Sequence, residues 1–497
     1  MRIAIPIRFN WTYVAIYIAV VFTGQILEGT NFIFAVLCAL YVALWALAYN
    51  LSGGIDYPSG AFILSNGLFS VVIGFGAKVL LLQPGDRNLL VPVKTVLIYT
   101  VGMVMTVIVV FLTKELRAKN GLLRPFDSLE QLKRAAIGCL VVGLGLTFIM
   151  SRTSAGEGTL LSALNQLNSF VIVAILFGTA YEIEHSKGKR STNWVVIAAI
   201  AVSVAQGLII FSKEGMLIGF VAWGITASLS GYSFKRGQVI SLTLGFAFMT
   251  YYLVPYSQYV RNYGAKTGST LDNLPIALHY LGELGETRRL YYEAIEDFSI
   301  TEEPHLYDQR EGFLDRLIQV AMDDALIDHT DKGNVFGLAP TYAAYANIVP
   351  HFIWRDKPTV SSGNIYAHEL GILADEDSTT GISLSAAADA YHQASWLGVL
   401  LLLPIDLLIV FLIMDSVVGS SKYSPFALFP IIKLFEGGAA AGLEICAYLA
   451  TYGVAGILLV AFVSKVATPF VFKILKLGAV APQPNTASTP PAVELPL

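Results

Sequence analysis

Long apolar runs, separated by short polar stretches, recur at about 11–27, 30–49, 60–82, 91–113, 134–151, 162–181, 194–211, 215–231 and 238–256. After a long interruption they resume at about 395–417, 424–440 and 443–464. Each run approaches the roughly 20 apolar residues that a helix needs to cross the hydrocarbon core. The run at 424–440 is the weakest, because Lys433 and Glu436 interrupt it. The interruption, residues 257–393, is polar but contains helical patterns of its own. Over 311–328, Phe313, Leu314, Leu317, Ile318 and Ala321 form an apolar stripe with charged residues opposite, which suits a helix on a membrane surface or capping a bundle.

The distribution of Lys and Arg sets the orientation. Lys114, Arg117, Lys119, Arg124, Lys133 and Arg134 follow the fourth run; Lys187, Lys189 and Arg190 follow the sixth; Lys235 and Arg236 follow the eighth. If every run crosses, these share one side with Arg2, Arg8, Lys465, Lys473 and Lys476, and that side is the cytoplasm. The expected architecture is therefore an all-α, polytopic bundle of about twelve transmembrane helices with one large extracytoplasmic loop. It divides into helices 1–9 over 1–256, the loop over 257–393, helices 10–12 over 394–476, and a Pro/Ala/Thr-rich cytoplasmic tail over 477–497 that is expected to be disordered. The basic N-terminus and first apolar run read as a retained helix rather than a signal peptide, since the run is long and lacks a small-residue cleavage site.

Composition supports lipid as the main solvent. Hydrophobic residues make up 55% of the chain and charged residues 14%, against roughly 25% charged in soluble domains. A net charge of −4 argues against a nucleic-acid partner. Cys38, Cys139 and Cys446 all lie in apolar runs and read as packing residues. No GxxxxGK[ST] loop occurs, so ATP-driven chemistry is not expected.

Candidate chemistry concentrates in the polar interruption, which holds six of the seven histidines: His279, His305, His329, His351, His368 and His392. Arg152, Lys213 (beside Glu214) and Arg261 stand at the expected external ends of helices, where ionisable groups default to a functional reading. The plain alternative is that they snorkel to the interface. With Arg288, Arg289, Arg316 and Lys357 they could ring one anion, because Arg donates in a fork that matches phosphate. Asp389 and His392, spaced i, i+3 on the turn leading into the tenth run, share a helix face and either could act as a general base. An interfacial cap is the alternative for Asp389. The irregular histidine spacing supports no metal site. Asp323, Asp324, Asp328 and Asp331, like Asp375–Asp377, read as solvated acidic turns rather than a calcium loop. Among charges inside the runs, Lys433 and Glu436 are spaced to pair, with Glu444 close by, whereas Lys78 and Asp406 carry no assignment.

The segment 349–398 resembles a known family. Pro350, Trp354, Lys357, Pro358, Gly363, Asn364, Thr379, Thr380, Asp389 and Tyr391 match a pattern seen late in the large periplasmic loop of membrane-embedded O-antigen or oligosaccharide repeat-unit polymerases (Wzy-type). The pattern is a Pro–Arg–x–x–Trp–x–x–Lys–Pro-like element, a Gly/Asn pair, a Thr/Ser patch and an acidic–x–Tyr element. His351 stands where that family has Arg, and Asp389 where Glu is commoner. The resemblance implies a glycosyltransferase of the bacterial cytoplasmic (inner) membrane, with both termini cytoplasmic. It would move a growing glycan from undecaprenyl pyrophosphate to a lipid-linked repeat unit, with a chain-length regulator as a further partner and no cofactor. Under that implication Arg152, Lys213, Arg261, Arg288 or Arg289, and Arg316 hold phosphate. Asp389 or His392 activates the acceptor hydroxyl, Trp354 stacks on sugar, and Lys357 and Asn364 contact substrate. A glycan ligase of related chemistry and a lipid-linked oligosaccharide flippase are the competing readings.

Overall fold

The computed structural model describes residues 8–118, 121–152, 168–263, 272–297, 304–308, 318–346, 349, 353–354, 356–358, 361–373, 375, 381–440 and 442–474. Over these residues the protein is helical, with no strand. Seven helices are long and apolar enough to cross a membrane: Phe32–Ser52 (α2), Pro58–Leu80 (α3), Pro92–Leu116 (α4), Leu129–Ser151 (α5), Arg236–Arg261 (α9), Ala386–Val418 (α15) and Val454–Ile474 (α18). Shorter helices stand before and between them at Trp11–Leu27 (α1), Phe170–His185 (α6), Trp194–Ile209 (α7), Lys213–Leu229 (α8), Leu428–Ala440 (α16) and Leu443–Tyr448 (α17). The polar interruption contributes Asn273–Gly282 (α10), Leu284–Asp297 (α11), Val320–Asp331 (α12), Ala339–Ala346 (α13) and Ser362–Glu369 (α14).

Local chemistry explains the boundaries. Asn10 and Asn31 accept from the backbone amides of Thr12 and Ile33, both at 2.9 Å, and so cap α1 and α2. Gly53 closes α2 with φ 96°, a conformation that penalises any residue with a Cβ. In packing, α2 lies against α4, α3 against α16, α5 against α6, and α7 against α8. All three cysteines are buried and unbridged.

Polar groups inside the bundle are paired in specific ways. The Lys78 ammonium is fully buried and donates to the carbonyls of Pro84, Gly85 and Arg87 at 3.0, 3.2 and 2.6 Å, closing the turn after α3. Buried Asp415 on α15 accepts from the Ser59 amide and hydroxyl at 3.0 and 2.7 Å and from Arg117 at 3.1 Å. The Arg117 guanidinium also lies 3.5 Å from the Tyr57 ring centre, which ties α3, α4 and α15 together. Lys433 and Glu436 form the expected pair at 2.8 Å. Glu444 instead accepts from the Ser362 amide and hydroxyl at 3.0 and 2.7 Å.

Several boundaries differ from the hydropathy reading, two of them flanking the polar interruption. The ninth helix continues past 256 to Tyr263, and the tenth run begins at Ala386 rather than near 395. Helix α15 is also broken. Ala394 (φ −150°, ψ 29°) and Ser395 (φ 49°, ψ −138°) leave helical geometry, and the left-handed φ at Ser395 is strained for a residue with a Cβ. The carbonyls of His392 and Gln393 near the break accept from the amides of Phe336 and Gly337 at 3.0 and 3.1 Å. Irregular backbone is tolerated in a spanning helix where other protein groups satisfy it. Gly398 permits the close approach that follows, since a Cβ there would lie 1.7 Å from the Ala390 carbonyl oxygen.

Candidate functional site

The short helical segment 386–393, ahead of the break in α15, carries the polar centre. The Ser385 hydroxyl accepts from the Ala388 amide at 3.2 Å and starts the helix. Asp389 follows in the first turn and is fully buried. Its Oδ1 accepts from the Tyr366 hydroxyl on α14 at 3.0 Å and from Gln393 Nε2 at 2.8 Å. Its Oδ2 accepts from the Leu443 amide at 2.7 Å. Gln393 accepts in turn from Thr341 on α13 at 2.7 Å. Asp389 thus joins the polar interruption, the tenth run and the start of α17 at a single carboxylate.

His392 lies one turn on and is also buried. Its Nδ1 is 2.9 Å from the Thr330 hydroxyl on α12, and its Nε2 is 3.1 Å from Glu369 Oε2 on α14. The Glu369 side chain is one-third exposed. Tyr366 packs edge-on to the imidazole at 4.5 Å between ring centres, and His329 stands 6.2 Å away. The result is a hydroxyl–imidazole–carboxylate relay, anchored on a buried core and open to solvent at its Glu369 end. Burial raises the Glu369 pKa. Imidazole between a hydroxyl and a carboxylate can take up a proton and pass it on.

Around the relay, Tyr391 donates to Asp331 at 2.8 Å, and Lys94 pairs with the same carboxylate. Tyr345 donates to Asp406 Oδ1 at 2.6 Å, which gives Asp406 a partner on α13.

The acidic residues of 323–331 are not solvated turns. They lie on α12, whose Asp323 and Asp324 are buried. Asp323 accepts from the Tyr99 hydroxyl and, at 3.0 Å, from the Ser385 amide. Asp324 accepts from the amides of Leu90 and Val91 and, at 2.7 Å, from the Thr95 hydroxyl. Unpaired amides at the N-terminus of α4 draw Asp324 inward and the Ser385 amide at the N-terminus of α15 draws Asp323, long-range demands invisible in the local sequence. The expected stripe survives in part, with Ile318 and Ala321 buried, while Phe313, Leu314 and Leu317 lie outside the described residues.

Burial pushes the Asp323 pKa up to about 7. The folded protein then holds a proton on Asp323 that the unfolded chain releases near pH 4. Stability linked to this group is greatest below that pH and falls as pH rises through the window to about 7. Asp323→Asn keeps an acceptor for Ser385 and offers an amide to the Tyr99 oxygen. Its melting temperature in detergent is expected to vary less between pH 4 and 7 than that of the wild type; parallel curves would refute the assignment.

The expected cations do not converge on one described point. Arg261 donates to the Phe211 carbonyl at 2.9 Å, and Lys213 opens α8 just beyond, so both stand at the turn between α7 and α8. Phe211 adopts φ 54° there. The Arg288 guanidinium lies 3.7 and 4.9 Å from the ring centres of Tyr251 and Tyr292. Arg289 is exposed and pairs with Glu286 and Glu293. Lys357 is buried and donates to the Val349 carbonyl at 3.0 Å. Trp354 is 38% exposed, and Asn364 lies on α14 beside Gly363. Arg152 ends its helix, but its side chain lies outside the description, as do residues Arg316, Pro350, His351, Thr379 and Thr380.

Glu369 and Thr330 were not singled out from sequence. The only local hint was the adjacent His368–Glu369 pair on a short helix, whose partner is 23 residues away in the chain. No protein-family model matches the chain, and no curated protein or solved structure matches it.

Proposed function

We propose that this protein is a membrane-embedded polysaccharide polymerase that transfers a growing glycan from undecaprenyl pyrophosphate to a lipid-linked repeat unit at the outer face of a bacterial cytoplasmic membrane. The reading includes twelve crossings with both termini cytoplasmic. Its main structural support is the relay Thr330–His392–Glu369, placed where the polar interruption meets a broken spanning helix. Broken helices at membrane depth are a recurrent way to place polar groups beside a substrate.

The reaction needs a base and a stabilised leaving group. The acceptor hydroxyl oxygen attacks the anomeric carbon of the donor glycan as the bond from that carbon to the pyrophosphate oxygen breaks. The hydroxyl proton enters at Glu369, the exposed end of the relay, and passes to His392 Nε2, whose imidazolium the Glu369 carboxylate then stabilises. The bond's electron pair leaves with the lipid pyrophosphate. Arg261 and Lys213, which share the turn between α7 and α8, are the cations for that developing charge. Trp354 offers an exposed ring to a sugar face. Asp389 positions the relay rather than touching substrate, because all its hydrogen bonds are internal.

The test is complementation of a deletion strain with wild type or His392→Ala. Wild type is expected to restore a ladder of long glycan, and His392→Ala to leave single-repeat glycan, in line with a loss of roughly 10²–10⁴-fold for a general base. An unaltered ladder from His392→Ala at normal expression refutes the assignment. Untransferred long polymer in the deletion strain would mark a ligase, and lipid-linked repeats accumulating inside would mark a flippase.

A further inference from the structure

A groove lies away from the relay, where α5, α6 and α7 meet. It encloses about 1030 Å³ with its open mouth included, and Lys133, Tyr181, His185, Lys189, Arg190 and Trp194 line it. Its walls are held rigid. Ser186 Oγ accepts from the Arg190 amide at 2.9 Å and donates to the Arg190 carbonyl at 3.1 Å, so the α6–α7 turn closes on itself. Asn193 accepts from the Val196 amide at 3.1 Å and donates to the Gly178 carbonyl at 3.0 Å, binding the start of α7 to α6. Tyr181 stacks on His185 with ring centres 5.3 Å apart, and the Lys133 ammonium sits 5.9 Å from the Tyr181 ring centre.

Charge and depth identify the occupant. Three permanent cations, Lys133, Lys189 and Arg190, face the groove, against a single lining carboxylate, the buried Glu182. Among the described residues none of the three is paired with a carboxylate. The groove sits at the end of the apolar stretches: α5 becomes apolar after Arg134, and α7 opens on Trp194, which is 60% exposed. An exposed Trp at a helix end marks the level of lipid headgroups. Basic pockets between spanning helices at this level favour phosphate-bearing headgroups.

We propose that this groove binds the headgroup of an anionic phospholipid, with Lys133, Lys189 and Arg190 on the phosphate and Trp194 against the glycerol and upper acyl chain. Such a lipid bridges α5 to α7 and stabilises that corner of the bundle. The site is independent of the glycan-transfer reading.

The test uses full-length protein in detergent, stripped of lipid and then given phosphatidylglycerol or phosphatidylcholine. Bound lipid is counted by native mass spectrometry, and melting temperature is followed in parallel. Wild type is expected to retain phosphatidylglycerol at least ~10-fold better than phosphatidylcholine, and to melt higher with it, as ligand linkage requires. Lys133→Gln/Arg190→Gln is expected to lose most of that preference, whereas Lys235→Gln/Arg236→Gln, at the start of α9, keeps it. Equal retention of the two lipids overturns the proposal. So does an equal loss in both double variants, which would indicate general surface charge. Should the first pair not fold, exposed Lys189→Gln serves instead, with a smaller loss expected and no loss counting against the site. Displacement of phosphatidylglycerol by millimolar glycerol phosphate would assign the groove to a soluble phosphate and refute the lipid.

Discussion

On the proposed polymerase reading, Glu369→Gln is expected to reduce glycan polymerisation by about 10²-fold while shifting stability by no more than about 0.5 kcal/mol, the usual range for exposed substitutions. The amide can still accept from His392 Nε2 at the observed 3.1 Å, so the ring keeps its orientation. What is lost is the negative charge that stabilises the imidazolium once the acceptor proton has moved. Glu369→Asp should recover part of the activity. Because burial raises the Glu369 pKa, its charge is lost at a higher pH than that of an ordinary carboxylate, and polymerisation should fall at the acid end accordingly. The measurements are polymer length in a complemented deletion strain, normalised to protein level, and melting temperature of the purified variant. Wild-type polymer from Glu369→Gln would remove the relay from the mechanism.

Asp389→Ala is expected to act in the opposite way, through the fold. It leaves the Tyr366 hydroxyl, the Gln393 amide and the Leu443 N–H without their acceptor in a site with no exposure. Each unsatisfied buried donor costs about 1–3 kcal/mol, so the total is ~3 kcal/mol or more. Low yield and a much lower melting temperature are the expected results, with activity lost alongside. Gly442→Ala should weaken the same point, since a Cβ there would sit 2.2 Å from Asp389 Oδ2. An Asp389→Ala protein that melts like wild type but makes no polymer would instead make Asp389 the base.

Apolar runs revealed the helices because, in lipid, every backbone polar group must be satisfied within its own segment. The sequence therefore reports each helix locally, and among the described residues seven helices have the length and apolarity to span. The pairing of Lys433 with Glu436 was legible for the same reason, being an i, i+3 contact. Asp323 was misread as solvated because its partners, Tyr99 and Ser385, are far away in the chain.

Asp389 and His392 stand at i, i+3 on the helix that enters the tenth run, and that spacing alone does not separate them. Both sit on one helical turn, and only their neighbours differ: three internal donors for Asp389, and a hydroxyl with a one-third-exposed carboxylate for His392. Nor could sequence anticipate the break at Ala394 and Ser395, because nothing in AYHQASWLG marks a stop. That break depends on Phe336 and Gly337 supplying amides from 50 or more residues away. Sequence alone determined that the chain is a helical membrane protein, because hydropathy is a local property of each segment. Tertiary structure alone decided which carboxylate is a keystone and which faces outward, because burial and hydrogen-bond partners are set by segments that meet only in the folded bundle.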